Sequence, residues 1–357
     1  MPAFIEEYGV LMFAKCLLIL TTCLVCCSLY SQTLFPITSY DYAIPENNVS
    51  PIAMGVGAIN VSNSDDPFAA YSNPALLASN ELSSFSTSFR LTNPDDISFW
   101  ETVNISNSLK NKQFKYFVLN TKQASFGYQP VAGVHISEIN ADGSSKYYDY
   151  QLDKVQISLS GKDKKYDKLG AGLSIKYLSG RLVYLAEHRV GNTLVRDTFI
   201  DDKVKGISTD LGFTYTQGNY TYAGCAYDLL SRLWWENYDS VSIQRRLSMG
   251  MGLDSGSSHW NAGVQSKISR EPETTYHLGY GYTWNFSQST PTAQNSSRQT
   301  MDLRLGLYSK DFYGTDNINY TFGGGYYYKN IRFDFSLNNK GMKMSDSEYL
   351  FALSLGI

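Results

Sequence analysis

The residue types that could do chemistry are few and scattered. Four histidines, His135, His188, His259 and His277, lie in separate segments, and neither a His-Glu-x-x-His pair nor a Gly-x-Ser-x-Gly elbow is present. A hydrolytic or acyl-transferring site needs a His with Ser or Asp partners, and no spacing here specifies one. Of five cysteines, Cys16, Cys23, Cys26 and Cys27 crowd near the start, leaving Cys225 alone between Gly224 and Ala226. With no partner in the mature chain and no nearby His, Cys225 reads as a small packed residue. Gly55-Val56-Gly57 lacks the third glycine of a nucleotide loop and reads as backbone freedom. Asp210, Asp302 and Asp334 share a face with Lys176, Arg304 and Arg332, which suits a charged interior better than an active site. The expectation is a protein that is not an enzyme and holds no cofactor or metal.

The elements carrying these residues have a period of 2. Tyr276, Leu278, Tyr280, Tyr282, Trp284 and Phe286 alternate with His277, Gly279, Gly281, Thr283 and Asn285. Met301, Leu303, Leu305 and Leu307 alternate with Asp302, Arg304 and Gly306, and Ile331, Phe333, Phe335 and Leu337 with Arg332, Asp334 and Ser336. One face is apolar and aromatic; the other is polar or glycine. A soluble sandwich alternates too. Strand lengths near ten residues and Tyr or Trp near the strand ends favour lipid. An all-β fold follows: an antiparallel transmembrane β-barrel of about fourteen strands. They are expected near 83–91, 114–120, 124–136, 148–160, 169–178, 205–216, 220–227, 243–253, 260–268, 275–286, 300–308, 318–328, 331–337 and 349–356.

Connection lengths point the same way. Segments 93–112, 137–147, 179–204 and 229–241 are long, whereas 121–123, 217–219, 254–259 and 329–330 are short. Long outer loops alternating with short periplasmic turns is the pattern of bacterial barrels. Segment 287–298 breaks it, being long on the short side. The last segment, Tyr349, Phe351, Leu353, Leu355 and Ile357, is amphipathic to its end. On this reading Leu278 faces lipid, and Gly279, facing the lumen, should accept Ser more easily than Leu278 accepts Arg.

Bulk properties are compatible. The mean hydropathy of −0.26 would suit a soluble protein, but a barrel hides its apolar residues at every second position and scores alike. A net charge of −3 leaves no basic field for nucleic acid. Lys15, the apolar run 16–27 and the small and polar residues 28–32 have the order of a secretory leader; the alternative, a membrane anchor, needs about 20 apolar residues. The chain therefore divides into a leader (1–32), an N-terminal segment (33–80) and the barrel (81–357).

Met54-Gly55-Val56-Gly57-Ala58, Val61-Ser62, Asp65-Asp66-Pro67 and Asn73-Pro74-Ala75-Leu76-Leu77 together resemble the N-terminal segment of the long-chain fatty-acid transporter superfamily. Within it they look most like the PorV/PorQ branch. The resemblance covers 50–77 and is only architectural beyond. It implies a plug or hatch-like segment, with Asp65, Asp66, Asn73, Pro74 and Ala75 as its motif, in a protein of the Gram-negative outer membrane. It also implies one of two roles: an accessory or shuttle of type IX-like secretion that binds exported proteins, or a transporter of hydrophobic small molecules.

Asn73 before Pro74 favours an extended or turn backbone with an Asx cap, which suits a segment folded in the lumen; an ordinary periplasmic extension is the alternative. Expected partners are outer-membrane lipid, secretion or cargo proteins, and a hydrophobic ligand, with no nucleic acid. Leu233-Trp234-Trp235, in the expected loop 229–241, could contact protein or an apolar ligand. Inward faces that read polar favour the protein-binding role. An apolar inward patch beneath the outer loops would favour the transporter.

Overall fold

The computed structural model describes residues 48–60, 63–80, 83–91, 112–163, 168–191, 193–268, 273–286, 299–309, 317–340 and 347–357. The expected leader, nearly all of connection 93–112 and the anomalous connection 287–298 lie outside the described residues.

Fourteen strands follow one another: β1 (Ser84–Leu91), β2 (Lys112–Thr121), β3 (Ala124–Ile139), β4 (Ser145–Lys162), β5 (Leu169–Val190), β6 (Thr193–Gln217) and β7 (Tyr220–Trp235). The second half comprises β8 (Arg245–Ser255), β9 (Ser258–Ile268), β10 (Glu273–Asn285), β11 (Gln299–Ser309), β12 (Ile318–Tyr328), β13 (Ile331–Lys340) and β14 (Ser347–Gly356). Each pairs antiparallel with its neighbours in sequence, and β14 returns to β1 from Ser84↔Gly356 to Leu91↔Tyr349, closing the barrel. Closure gives every strand a paired neighbour on both sides, as a membrane demands, where an unpaired backbone group costs several kcal/mol. Among the described residues the β2–β3 ladder is the shortest, with five residue pairs.

The period-2 pattern is what the barrel uses. Leu173, Ile175, Ile207, Leu278, Leu305 and Phe333 all point outward and are exposed. A continuous belt of such residues is stable only against lipid. At the short-turn end, Tyr220, Tyr222, Trp260, Trp284, Tyr326 and Tyr328 form an aromatic rim, with the Trp260 and Tyr280 rings 4.6 Å apart. The turns at that end have Gln123, Gly218, Gly256 or Lys329 at positive φ, as two-residue hairpins require.

At the other end the structure corrects the expected loops. Strands β4, β5 and β6 run for 18, 22 and 25 residues, about twice what a tilted crossing needs. Most of 137–147 and 179–204 is therefore ladder, and Leu233, Trp234 and Trp235 end strand β7 rather than lying in a loop. The cause is an inversion of the two faces. Low on β4, Leu159 and Ile157 face out while Ser158, Gln156 and Lys154 face in; above them Asp153 and Gln151 face out and Leu152 and Tyr150 face in. On β5 the outward run Leu173, Ile175, Tyr177 gives way to Arg181, and inward Ser174 and Lys176 give way to Leu178 and Leu182. On β6 Leu211 and Ile207 give way to Lys205 and Lys203, and Asp210 and Ser208 to Val204 and Ile200. Above the belt the outer face meets water, so the apolar residues turn inward.

Inside the barrel lies the segment 48–80, with helix α1 (Pro51–Gly55), helix α2 (Ala69–Ser72) and a 3-10 helix (Pro74–Ser79). Ser50 caps α1, its Oγ accepting from the Ala53 N–H at 3.0 Å, and Pro51 sits at the first helical position. Asn73 caps the 3-10 helix in the same way, accepting from the Ala75 N–H at 3.0 Å.

Candidate functional site

The segment 48–80 is bonded to the wall on many sides. Asn120 on β2 donates to the Pro67 carbonyl, Gln156 on β4 to Ala70 (3.2 Å), Tyr227 on β7 to Ser72, and Asn261 on β9 to Ile59 (2.6 Å). His277 on β10 meets the Gly57 carbonyl at 2.6 Å, and the Gly57 N–H donates to Thr321 on β12 at 3.0 Å. Such partners around a closed barrel put the segment in its lumen. Inward glycines make room for it. A Cβ at Gly172 would collide with the Pro74–Ala75 peptide, at Gly212 with Asn73 Oδ1, at Gly279 with the Val56 carbonyl, and at Gly306 with the Gly57 nitrogen. Gly279 is therefore not the tolerant position expected from its inward direction.

The motif residues divide. Asp66 is buried and accepts from Ser50 Oγ (2.7 Å), Asn60 Nδ2 (3.0 Å) and the Phe68 N–H (2.8 Å). Burial pushes its carboxyl above the usual carboxylate range, against the pull of the Ser50 and Phe68 bonds. Asp65 is exposed, with its N–H on Asn63 Oδ1. Asn73 donates through Nδ2 to the carbonyls of Phe213 (3.1 Å) and Gly224 (3.3 Å), joining β6 and β7 to the segment. Pro74 and Ala75 are buried against β5.

Two ion networks fill the polar part of the lumen. Lys176 Nζ lies 2.6 Å from Asp210 and 3.0 Å from Asp228; Ser208 Oγ and the Asp228 N–H complete the set. Asp228, unremarked in the sequence, enters at a break in the β6–β7 register with φ 55°, where three β7 residues oppose one on β6. Across the lumen Arg304 and Arg332 each bond both Asp302 and Asp334 at 2.8 Å, and Thr283 donates to Asp302. Two cations against two carboxylates satisfies charges whose burial is otherwise costly. The charged interior expected from sequence is present, and its six residues divide between the two networks. Of the histidines, His188 and His259 pair with Asp197 and Asp254 at exposed positions; Cys225 is buried opposite Gly212.

Above these networks the lumen wall becomes apolar. Tyr150, Leu152, Leu178, Leu182, Val204 and Leu233 are all buried on the inward faces of β4 to β7. The inward faces, read as polar from the sequence, are corrected for the upper lumen. Beside this apolar region the wall changes. The β2–β3 ladder runs from Thr121↔Ala124 to Phe117↔Tyr128, and among the described residues no rung joins the two strands beyond it, although β2 continues to Lys112 and β3 to Ile139. Pro130 supplies no N–H there, and a bulge turns Val131 inward. Tyr116, the first residue past the last rung, is fully buried and lies across Gly127. It packs on Phe68 and Tyr71 of the luminal segment, with ring centroids 6.1 and 5.4 Å away. On the outer side Phe114 and Tyr128 stack at 6.1 Å.

No family model matches the sequence, and no curated protein matches it. Solved structures do. The toluene transporter TbuX of Ralstonia pickettii superposes with a TM-score of 0.54 at 15% identity, over 86% of this chain and 98% of that one. The toluene transporter TodX of P. putida gives 0.54 at 12% identity, over 88% and 99%. At these identities the likeness is one of fold. The closed strand order, the lipid-facing belt and this likeness agree: the chain is a fourteen-stranded outer-membrane β-barrel with the fold of these transporters.

Proposed function

We propose that this protein carries hydrophobic small molecules into the outer membrane, taking them up in the apolar upper lumen and releasing them sideways between β2 and β3. The observation carrying the proposal is the change of the inward face from Lys154, Lys176 and Asp210 to Leu152, Leu178 and Val204 within one residue pair per strand or a few. An apolar solute gains from the chamber at about 25 cal/mol per Å² of surface removed from water. Below, it would have to displace bonded charges, a cost of several kcal/mol per ion. Downward passage is thus blocked by the networks and by the luminal segment acting as a plug. The unpaired stretch of wall remains, lined by Tyr116 and Val131 and opening on lipid.

The toluene transporters of the same fold support this reading, as does the apolar patch beneath the outer hairpins. The test is binding of the apolar dye N-phenyl-1-naphthylamine to the purified barrel. Leu178→Glu with Leu182→Glu should abolish the fluorescence gain; unchanged binding would reject the chamber. The PorV/PorQ-like reading, a secretion shuttle binding exported proteins, loses the polar lumen on which it leaned. It keeps the exposed Leu194, Val195 and Phe199 on the tall β5–β6 hairpin, and capture of secreted proteins that fails after their replacement by Ser would favour it.

A further inference from the structure

Where the outward face inverts on β5, β6 and β7, the first polar residues above the belt are mostly cations. The register puts Lys205 between Ser179 and Trp234, Lys203 beside Arg181, and Arg232 beside Ile207, all of them outward and exposed. Arg181 is held by Asp201 through two bonds of 2.8 Å, which leaves that carboxylate occupied. Among the described residues Arg232 bonds the hydroxyl of Ser240 and no carboxylate. Lys203 and Lys205 have no salt-bridge partner among the described residues. Asp153 and Glu236 stand at the two sides of the group, and Asp153 accepts from Tyr128. At another point of the same rim Lys267 is paired with Glu273 at 3.0 Å.

Three available cations thus form an outward column: Arg232 is level with Ile207 and Tyr177, Lys205 is two residues higher, opposite the exposed Trp234, and Lys203 is two residues above that. Neighbouring strands are about 4.8 Å apart, and same-face residues about 7 Å along a strand, so Lys205 is the centre of the group. The long side chains of Arg232 and Lys203, about 14 Å apart along the strand at their backbones, can converge from below and above on a phosphorylated headgroup held at Lys205. Trp at this height marks the headgroup layer. The short turns lie at the opposite end, which makes this the outer leaflet. We infer that Lys203, Lys205 and Arg232, flanked by Trp234, bind the phosphate of an outer-leaflet glycolipid whose acyl chains lie on the belt below. Charge-assisted bonds from Lys and Arg to phosphate are strong, and the belt holds the chains without further design. The site is separate from the lumen and does not rest on the transport proposal.

The experiment is native mass spectrometry of the full barrel after incubation in detergent with diphosphoryl lipid A, its dephosphorylated form, or phosphatidylcholine. The wild type should retain diphosphoryl lipid A in preference to both others. Lys203→Gln with Lys205→Gln and Arg232→Gln should lose most of that retention, while binding phosphatidylcholine as before. Lys205→Gln alone should lose part of it, and Lys267→Gln none. Heat-modifiable migration on gels checks that each variant is folded. Equal retention of the phosphorylated and dephosphorylated lipids, equal loss in Lys267→Gln, or full displacement by inorganic phosphate at millimolar concentration would overturn the inference.

Discussion

Asn73 occupies the space that a side chain at Gly212 would need: its Oδ1 lies where the Cβ of any other residue would be, and its Nδ2 bonds the next carbonyl along β6, that of Phe213. The side chain of Asn73 is therefore fitted against the backbone of the barrel wall. Gly212→Ala should displace the segment without unfolding the barrel. Overpacking of this kind costs about 1–3 kcal/mol, roughly a 5- to 150-fold rise in the undocked population. Conductance in planar bilayers measures it; an unaltered, closed barrel would count against docking at this point.

Asn73→Ala with Pro74→Gly removes the same contact from the other side. Three hydrogen bonds and a fixed φ are lost. The cap alone is worth about 1 kcal/mol. Small-solute leak should rise while heat-modifiable migration is retained. A barrel that stays closed would mean that the motif only tethers β1.

Both neighbours on β10 should be sensitive to substitution, although only one of them faces lipid. Leu278→Arg faces lipid and should cost about 2–4 kcal/mol if near the midplane. Gly279→Ser, although inward, should also disturb the protein, because the Val56 carbonyl lies on it. Gly281→Ser should be tolerated, since the nearest atoms to a Cβ there are 3.9 Å away. Urea unfolding from vesicles ranks the three.

Docking of the segment should also depend on pH through Asp66. Its carboxyl, raised by burial, keeps a proton to higher pH when docked than when free. Docking is therefore most favourable below the ordinary carboxylate value of about 3.9 and weakens as pH rises through the raised one. Leak should be lower at acid pH than at neutral pH, and Asp66→Asn should flatten that part of the profile. A leak that falls with rising pH, or a profile unchanged in Asp66→Asn, would contradict the assignment.

Much of the barrel was legible because lipid on one side and a polar lumen on the other impose a period of 2 that Leu278/Gly279 or Phe333/Asp334 display directly. The upper strands were not. At Leu152/Asp153 and again between Tyr177 and Arg181 the solvent on the outer side changes from lipid to water, the apolar face switches sides, and the pattern reads as the end of a strand. The apolar upper lumen was hidden by the same switch. Asn73 stood out through turn chemistry and Asp66 through the family resemblance alone, but Asp228 did not stand out, since a register break brings it in. A usable signal lay in the inward glycines Gly172, Gly212, Gly279 and Gly306, whose missing side chains mark the path of the luminal segment.

The lateral route is tested most directly by closing it. Phe114 and Tyr128 stack across the first unpaired stretch of β2 and β3, so Phe114→Cys with Tyr128→Cys, in a Cys225→Ala background, can be joined by a short reducible crosslinker. The measurement is transfer of N-phenyl-1-naphthylamine into the membrane of proteoliposomes. Transfer should fall to the level of empty vesicles on crosslinking and recover on reduction, with dye binding to the chamber retained throughout. Transfer that continues unchanged through the joined strands would contradict sideways release.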